Sequence, residues 1–306
     1  MASDPDLAAV IAAVPEWRTH KPTITPIQAG RTNRNFRVEV GGGAFFLRLS
    51  DEETSLLGID RIAEYEAAID AAAAGVGPEV VAHLPEHHCL ITRWVAGEPL
   101  AEGDMEREDV LAGVARVVRT IHAGPKIPWA FDPFRIVEDY RRISEDRGVP
   151  IPGAFDPAHA HAERIEAAFT AARIPECPCH NDLLADNFLW GAEGLWLIDY
   201  EYAGMGNPFF DLGNLSINNG LSDESQERLL GLMFDEVTEA DRARLQLMRI
   251  MSDFREAMWG VVQQGLSTLD IDYVAYAERH FDRLSRSTAD ERFEAWLDEA
   301  SRPIEP

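Results

Sequence analysis

Apolar residues recur along this chain with two different periods, and the changes between them mark out its parts. Leu7, Val10, Ile11 and Val14 fall at helical spacing, which predicts a short amphipathic helix over residues 4–17 that ends near Pro15. From residue 23 the period becomes two. Residues 23–28 form one run, residues 35–40 alternate with Phe36, Val38 and Val40 on one face, and residues 44–49 form a third run. Gly41-Gly42-Gly43 between the last two is a strong hairpin signal. Ile62, Tyr65, Glu66 and Ile69 then return to three-to-four spacing in an Ala-rich background, predicting a helix over 59–74 stopped by Gly75 and Gly77. Strands follow over 79–84 and 89–95, and Gly97-Glu98-Pro99 breaks the pattern. Beyond residue 104 the texture is helical, over 107–122, 136–147, 157–173, 222–234, 239–265 and 271–285. It is interrupted by Phe188-Leu189-Trp190 and Leu195-Trp196-Leu197-Ile198, which flank a turn and predict a strand pair. This order predicts a two-lobed α+β fold: a small antiparallel sheet with one long helix over 1–93, a hinge over 94–98, and a larger, mainly helical lobe over 99–306.

The strand pair carries the chemistry. His180-Asn181-Asp182-Leu183-Leu184-Ala185-Asp186-Asn187 precedes its first strand, and Asp199-Tyr200-Glu201-Tyr202 follows its second. Asp182 and Asn187 stand five residues apart, the H-x-D-x-x-x-x-N spacing of a kinase-type catalytic loop. Asp182 is expected to orient a substrate hydroxyl and accept its proton. Asn187 offers a neutral oxygen to Mg²⁺ and Asp199 a charged one, with ATP phosphates and water completing a hard-cation site. His180, at the loop entrance, is expected to bond loop backbone rather than carry protons.

The phosphate-gripping parts are expected in the N-terminal sheet. Gly30-Arg31-Thr32-Asn33-Arg34-Asn35 lies between the first two strands, where backbone N–H groups and the side chains of Thr32, Asn33 and Asn35 could cover phosphates. Neither a G-x-G-x-x-G nor a Walker A pattern is present. Arg48 interrupts the apolar run Phe45-Phe46-Leu47-Arg48-Leu49 and must find a partner, because a lone buried charge is costly. Glu64 on the following helix is the natural candidate, with Arg61 and Glu66 as competing assignments. Trp94 and Val95, at the hinge, complete the expected nucleotide set.

Charge narrows the partners. The 306 residues hold 28 Lys plus Arg against 53 Asp plus Glu, a net charge of -25. Such a balance repels phosphate backbones and anionic headgroups, so neither nucleic acid nor a membrane surface is an expected partner. Small cationic substrates are. Cys89, Cys177 and Cys179 are too few for a disulfide framework. Cys177-Pro178-Cys179-His180 has a one-residue gap where structural zinc sites have two to four, so its thiols are expected free and buried on a strand leading into the loop. No basic leader and no apolar run of membrane-spanning length stands out, which predicts a cytoplasmic setting.

The loop, together with Ile198-Asp199-Tyr200-Glu201-Tyr202-Ala203-Gly204, Asn207-Pro208 and Phe210-Asp211-Leu212-Gly213-Asn214, resembles the choline/ethanolamine kinase family of the aminoglycoside-phosphotransferase-like group. Gly30 to Phe36, Leu47-Arg48-Leu49 and Arg61-Ile62-Ala63-Glu64 are similar to its N-terminal lobe. The resemblance implies a bilobal protein-kinase-like fold, ATP and Mg²⁺, and transfer to the hydroxyl of an amino alcohol. It implies that Asp211 braces the catalytic loop through backbone N–H groups, with helix capping as a compatible role. It matches Tyr202 and Trp259 to aromatic positions of a choline pocket, where a quaternary ammonium is held by ring faces. Choline kinases carry a second Trp where this chain has Glu256, and an acidic residue where it places Asn218. Glu256 would serve a primary ammonium better than a ring, which leans the expectation toward ethanolamine. Glu201 has three open roles: supporting the metal, attracting the ammonium, or fixing a loop cation such as Arg34. An aminoglycoside phosphotransferase is the alternative. A protein kinase is disfavoured, since no A-P-E segment follows Asp199. Whether the chain is a monomer or homodimer stays open.

Overall fold

The Gly41-Gly42 turn sets the N-terminal sheet. Both glycines have positive φ, 60° and 83°, the left-handed pair that a two-residue hairpin needs and that a side chain would strain. In this computed structural model, which describes residues 5–18, 20–27, 33–50, 52–101 and 103–303, the turn joins β2 (Asn33–Val40) to β3 (Gly43–Ser50). With β1 (Thr23–Ile27), β4 (Val80–Leu84) and β5 (Cys89–Arg93) they form an antiparallel sheet in the order β1-β2-β3-β5-β4. The first helix, α1 (Pro5–Ala13), is shorter than its apolar spacing predicts, and Pro15–Trp17 forms a separate 3₁₀ turn with Pro at its start. Val10, Val14 and Trp17 pack with Val38, Val40, Leu47, Leu49, Cys89 and Ile91 as a small core on one face of the sheet.

Helix α2 (Arg61–Ala73) begins at Asp60, whose carboxylate accepts from the N–H groups of Ile62 at 3.0 Å and Ala63 at 2.8 Å. Its buried face differs from the one expected. Ile62 and Ile69 are exposed, at 61% and 39%, while Ala63, Glu64, Ala67, Ala68 and Ala71 are buried. The small alanines let the helix pack closely, and they join the large core that runs through the rest of the molecule.

That remainder contains α3 (Glu108–His122), α4 (Pro133–Asp146), α5 (Phe155–Ala172), α6 (Pro208–Asn218), α7 (Asp223–Met233), α8 (Glu239–Leu266), α9 (Tyr273–Thr288) and α10 (Phe293–Ala300). Helix α6 was not legible from spacing because Phe209 to Ile217 are all buried, so no polar stripe marks a period. It crosses α8 at Gly213, where a Cβ would come within 2.5 Å of the Met248 backbone. Helix α8 starts with a capping box in which Thr238 and Asp241 satisfy each other's backbone N–H. Gly97–Pro99, expected as a break, is a strand, β6, pairing with β8 (Phe188–Gly191), which pairs in turn with β9 (Gly194–Leu197). A separate pair joins β7 (Cys177–Cys179) to β10 (Gly204–Gly206). Among the described residues, no helix is long and apolar enough to cross a membrane.

Candidate active site

The loop after β7 is held from below by α6. Asp211, fully buried in the first turn of that helix, accepts from the backbone N–H of His180 at 3.0 Å and of Asn181 at 2.6 Å. Its Oδ2 also meets His122 Nε2 at 2.8 Å. The helix cap is Asn207, not Asp211. Asn214 Oδ1 accepts from Leu183 N at 2.7 Å, and Asn219 Nδ2 donates to Leu183 O at 2.8 Å. Asn181 and Asp199 both take φ of 66°, which is strained for residues with a side chain and survives only where surrounding bonds hold it. Asn181 Nδ2 supplies one such bond, to Tyr202 O at 3.0 Å.

His180 has both ring nitrogens engaged. Nδ1 accepts from Asp182 N at 3.3 Å, and Nε2 therefore carries the hydrogen and donates to Ile198 O at 3.0 Å. Burial holds the imidazole below its usual pKa. The ring is neutral and tied to backbone, with no lone pair for a substrate proton.

Asp182 and Asn187 meet at the loop's two ends. Asn187 Nδ2 donates to Asp182 O at 2.9 Å and lies 3.5 Å from its Oδ2, which leaves the Asn187 carbonyl oxygen for a cation. Asp199, half-buried, accepts from Arg48 Nη1 at 3.0 Å. Burial pushes its carboxyl up to about 6, with the Glu201 charge adding and Arg48 and Arg61 opposing. Burial likewise pushes Asp182 up to about 8, opposed by Arg255 and reinforced by the charges of Glu256, Asp199 and Glu201. An oxygen-only donor set in crowded negative charge suits Mg²⁺.

Two charge networks flank this loop. On the sheet side, Arg48 and Glu64 form a buried ion pair. Arg61 adds to it, reaching Glu64 Oε2 at 2.8 Å, Thr54 Oγ1 at 2.8 Å, Asn33 Oδ1 at 3.3 Å and Glu201 Oε2 at 3.5 Å. Arg48 and Arg61 thus share Glu64, where the sequence posed them as competitors. Asn33 Nδ2 donates to Glu201 Oε2 at 2.9 Å, so Glu201 fastens β2 and α2 to the catalytic segment. Arg34 instead pairs with Asp6 at 3.0 Å. Asn35 stands opposite Arg48 in the sheet register. Trp94 carries the Arg37 guanidinium 4.8 Å over its ring, and Val95 beside it is half-buried. Thr32 lies outside the described residues.

On the other side, Trp259 Nε1 donates to the Tyr202 hydroxyl at 3.2 Å, so the two expected aromatic residues touch. Arg255 lies over the Tyr202 ring, 4.2 Å from its centroid. Its Nη1 is 2.6 Å from Glu256 Oε1 and 3.5 Å from Asp182 Oδ1. The Tyr276 hydroxyl donates to Glu256 Oε2 at 2.6 Å. Glu256 therefore has both oxygens occupied, contrary to the picture of a carboxylate waiting for an ammonium. Asn218 Oδ1 accepts from Arg283 Nη2 at 3.2 Å, and Arg283 also holds the buried Asp253. Sequence reasoning missed Arg255, Tyr276 and Asn214. Arg255 stands in Ser252-Asp253-Phe254-Arg255-Glu256, where its polar neighbours give no sign that it is buried.

Residues 23–248 match the phosphotransferase enzyme family. The chain belongs to this family. The chain is similar to proteins named as choline and ethanolamine kinases. It is 26% identical over 230 residues to protein LicA of Haemophilus influenzae, covering 71% of this chain and 65% of that protein's length. It is 24% identical over 302 residues to ethanolamine kinase 2 of Mus musculus, covering 88% and 77% respectively. The crystal structure of a choline/ethanolamine kinase family protein from Mesorhizobium loti superposes with a TM-score of 0.82 at 28% identity, covering 97% of this chain and 98% of that one. The expected α+β, protein-kinase-like architecture is the one these phosphotransferases share.

Proposed function

We propose that this phosphotransferase moves the terminal phosphoryl group of ATP, with Mg²⁺, to the hydroxyl of a small amino alcohol nearer ethanolamine than choline. The observation that carries the reading is Asp182, set between the two charge networks and beside Asn187. Phosphoryl transfer asks a protein for positioning and charge stabilisation more than for covalent chemistry. In this reading Asp182 orients the acceptor hydroxyl and takes its proton as the bond to phosphorus forms. A carboxyl pushed up to about 8 is a stronger base than an exposed one once it is ionised. Asn187 and Asp199 would hold Mg²⁺, which when bound neutralises phosphate charge. Arg48, positioned by Glu64, is the cation available to the phosphates; Asn33, Asn35, Trp94 and Val95 are assigned to the nucleotide side. With the lobes divided as 1–93, 94–98 and 99–306, the nucleotide is assigned to the hinge.

The acceptor preference rests on Arg255. The Tyr202 face already carries a guanidinium with Glu256 as its counter-ion. A quaternary ammonium, which can only lie against ring faces, must compete with that resident cation. A primary ammonium donates three hydrogen bonds and can instead share the nearby carboxylates, of which Asp182 and Glu201 are the candidates. The test is ADP release with ethanolamine, its N-methyl intermediates, choline and an aminoglycoside as acceptors. Turnover should fall as methyl groups are added. A strong preference for choline would sink the acceptor assignment, and turnover with the aminoglycoside alone would sink the amino-alcohol reading.

A further inference from the structure

Cys177 and Cys179 sit two apart on β7, so both side chains leave the same face of the strand. Their sulfurs lie 3.7 Å apart, and neither is in a disulfide. Two zinc–sulfur bonds of about 2.3 Å at the tetrahedral angle put the sulfurs about 3.8 Å apart, so the pair stands at the edge length of such a site. A third donor arrives from the last residue of α3. A nitrogen of His122 and the two sulfurs all lie within 4.8 Å of one another. In the neutral ring, Nε2–H donates to Asp211 and leaves Nδ1 with its lone pair. A carboxylate behind the far nitrogen is the usual outer shell of a metal-bound imidazole, because it fixes tautomer and orientation. Cys179 is buried, whereas Cys177 and His122 are only partly so, which leaves a way in.

We infer that His122, Cys177 and Cys179 form a binding site for one thiophilic divalent cation of the Zn²⁺ class, with its fourth position open to solvent. The donors are sulfur and nitrogen, which select against Mg²⁺ and separate this site from the oxygen donors of the catalytic loop. The one-residue gap is shorter than in structural zinc sites, yet the strand holds the two sulfurs 3.7 Å apart. His180, which made Cys-Pro-Cys-His look like a motif, has both nitrogens on backbone. The imidazole comes instead from 55 residues upstream (177 − 122). Asp211 links the site to the catalytic loop, since the carboxylate behind His122 also holds the N–H groups of His180 and Asn181.

The experiment is a Co²⁺ titration of the reduced, chelator-treated full-length chain. One equivalent should produce sulfur-to-cobalt charge-transfer absorption in the near ultraviolet. Zn²⁺ should abolish that band, and a large excess of Mg²⁺ should leave it. Cobalt at the oxygen donors of Asn187 and Asp199 gives no such band. Losing an outer-shell partner typically weakens metal binding ~10–100-fold, so Cys177→Ser should weaken Zn²⁺ binding at least about 100-fold. Cys177→Val removes the same sulfur without adding a hydroxyl and should give the same loss. Absence of the band in the wild type, or equal Zn²⁺ affinity in wild type and both variants, would overturn the site.

Discussion

The two charge networks beside the catalytic loop are built from the same kinds of group but differ in what they span. The nucleotide-side network ties Arg48 on β3, Glu64 and Arg61 on α2, and Asn33 on β2 to Asp199 and Glu201, and so joins the sheet to the catalytic segment. The acceptor-side network is confined to the helical part: Arg255 and Glu256 are neighbours on α8, and they close on Asp182, Tyr202 and Tyr276. One network joins the sheet to the helical part; the other stays within it. A buried ion pair is weak evidence of stability in itself, but removing one partner strands the other charge at a cost of about 3–5 kcal/mol. Damage to the first network should therefore register in folding and nucleotide use, and damage to the second in acceptor choice.

That contrast can be broken in four places. Asp182→Ala, at the junction, should lower turnover by about 10²–10⁴-fold, the usual worth of a positioned acid–base group, while nucleotide binding measured calorimetrically stays near wild type. Glu64→Gln leaves Arg48 and Arg61 short of a carboxylate and should destabilise the fold by about 3–5 kcal/mol in denaturant unfolding, with a raised KM for ATP whatever the acceptor. Arg255→Met should leave the KM for ATP unchanged but alter the ratio of kcat/KM between ethanolamine and choline by about tenfold in favour of choline, the equivalent of about 1.4 kcal/mol. An unchanged ratio would show that Arg255 is structural only. Trp259→Phe removes one hydrogen bond to Tyr202 and should cost about 1 kcal/mol, read as a several-fold change in acceptor KM.

The two networks also differed in how far they could be read from the sequence. The loop was legible because Asp182, Asn187 and Asp199 lie close together in the chain and between short apolar strands. The Gly41-Gly42 hairpin was legible for the same local reason. Arg48 and Glu64 could be paired because a cation in a β-run demands a partner on the next element. Arg255, between Asp253 and Glu256 in the chain, made no such demand, and its partners Asp182 and Tyr202 are brought to it only by tertiary packing. Glu256 was read as an ammonium partner because it stands where choline kinases have a Trp; its contacts with Arg255 and Tyr276 depend on tertiary packing. The α2 face was misjudged because isoleucines outweigh alanines in any apolar pattern, although it is the alanines that permit close packing. The His122–Asp211 contact spans 89 residues and has no local signature.

The most direct test follows the phosphorus resonances of a reaction containing the protein, ATP, Mg²⁺ and ethanolamine, beside the same reaction with Asp182→Ala. The account predicts a phosphomonoester signal growing in step with ADP for the wild type, and none for a variant that still binds nucleotide. Monoester formed at a near-normal rate by Asp182→Ala, or ADP and inorganic phosphate from the wild type with no phosphorylated acceptor, would contradict it.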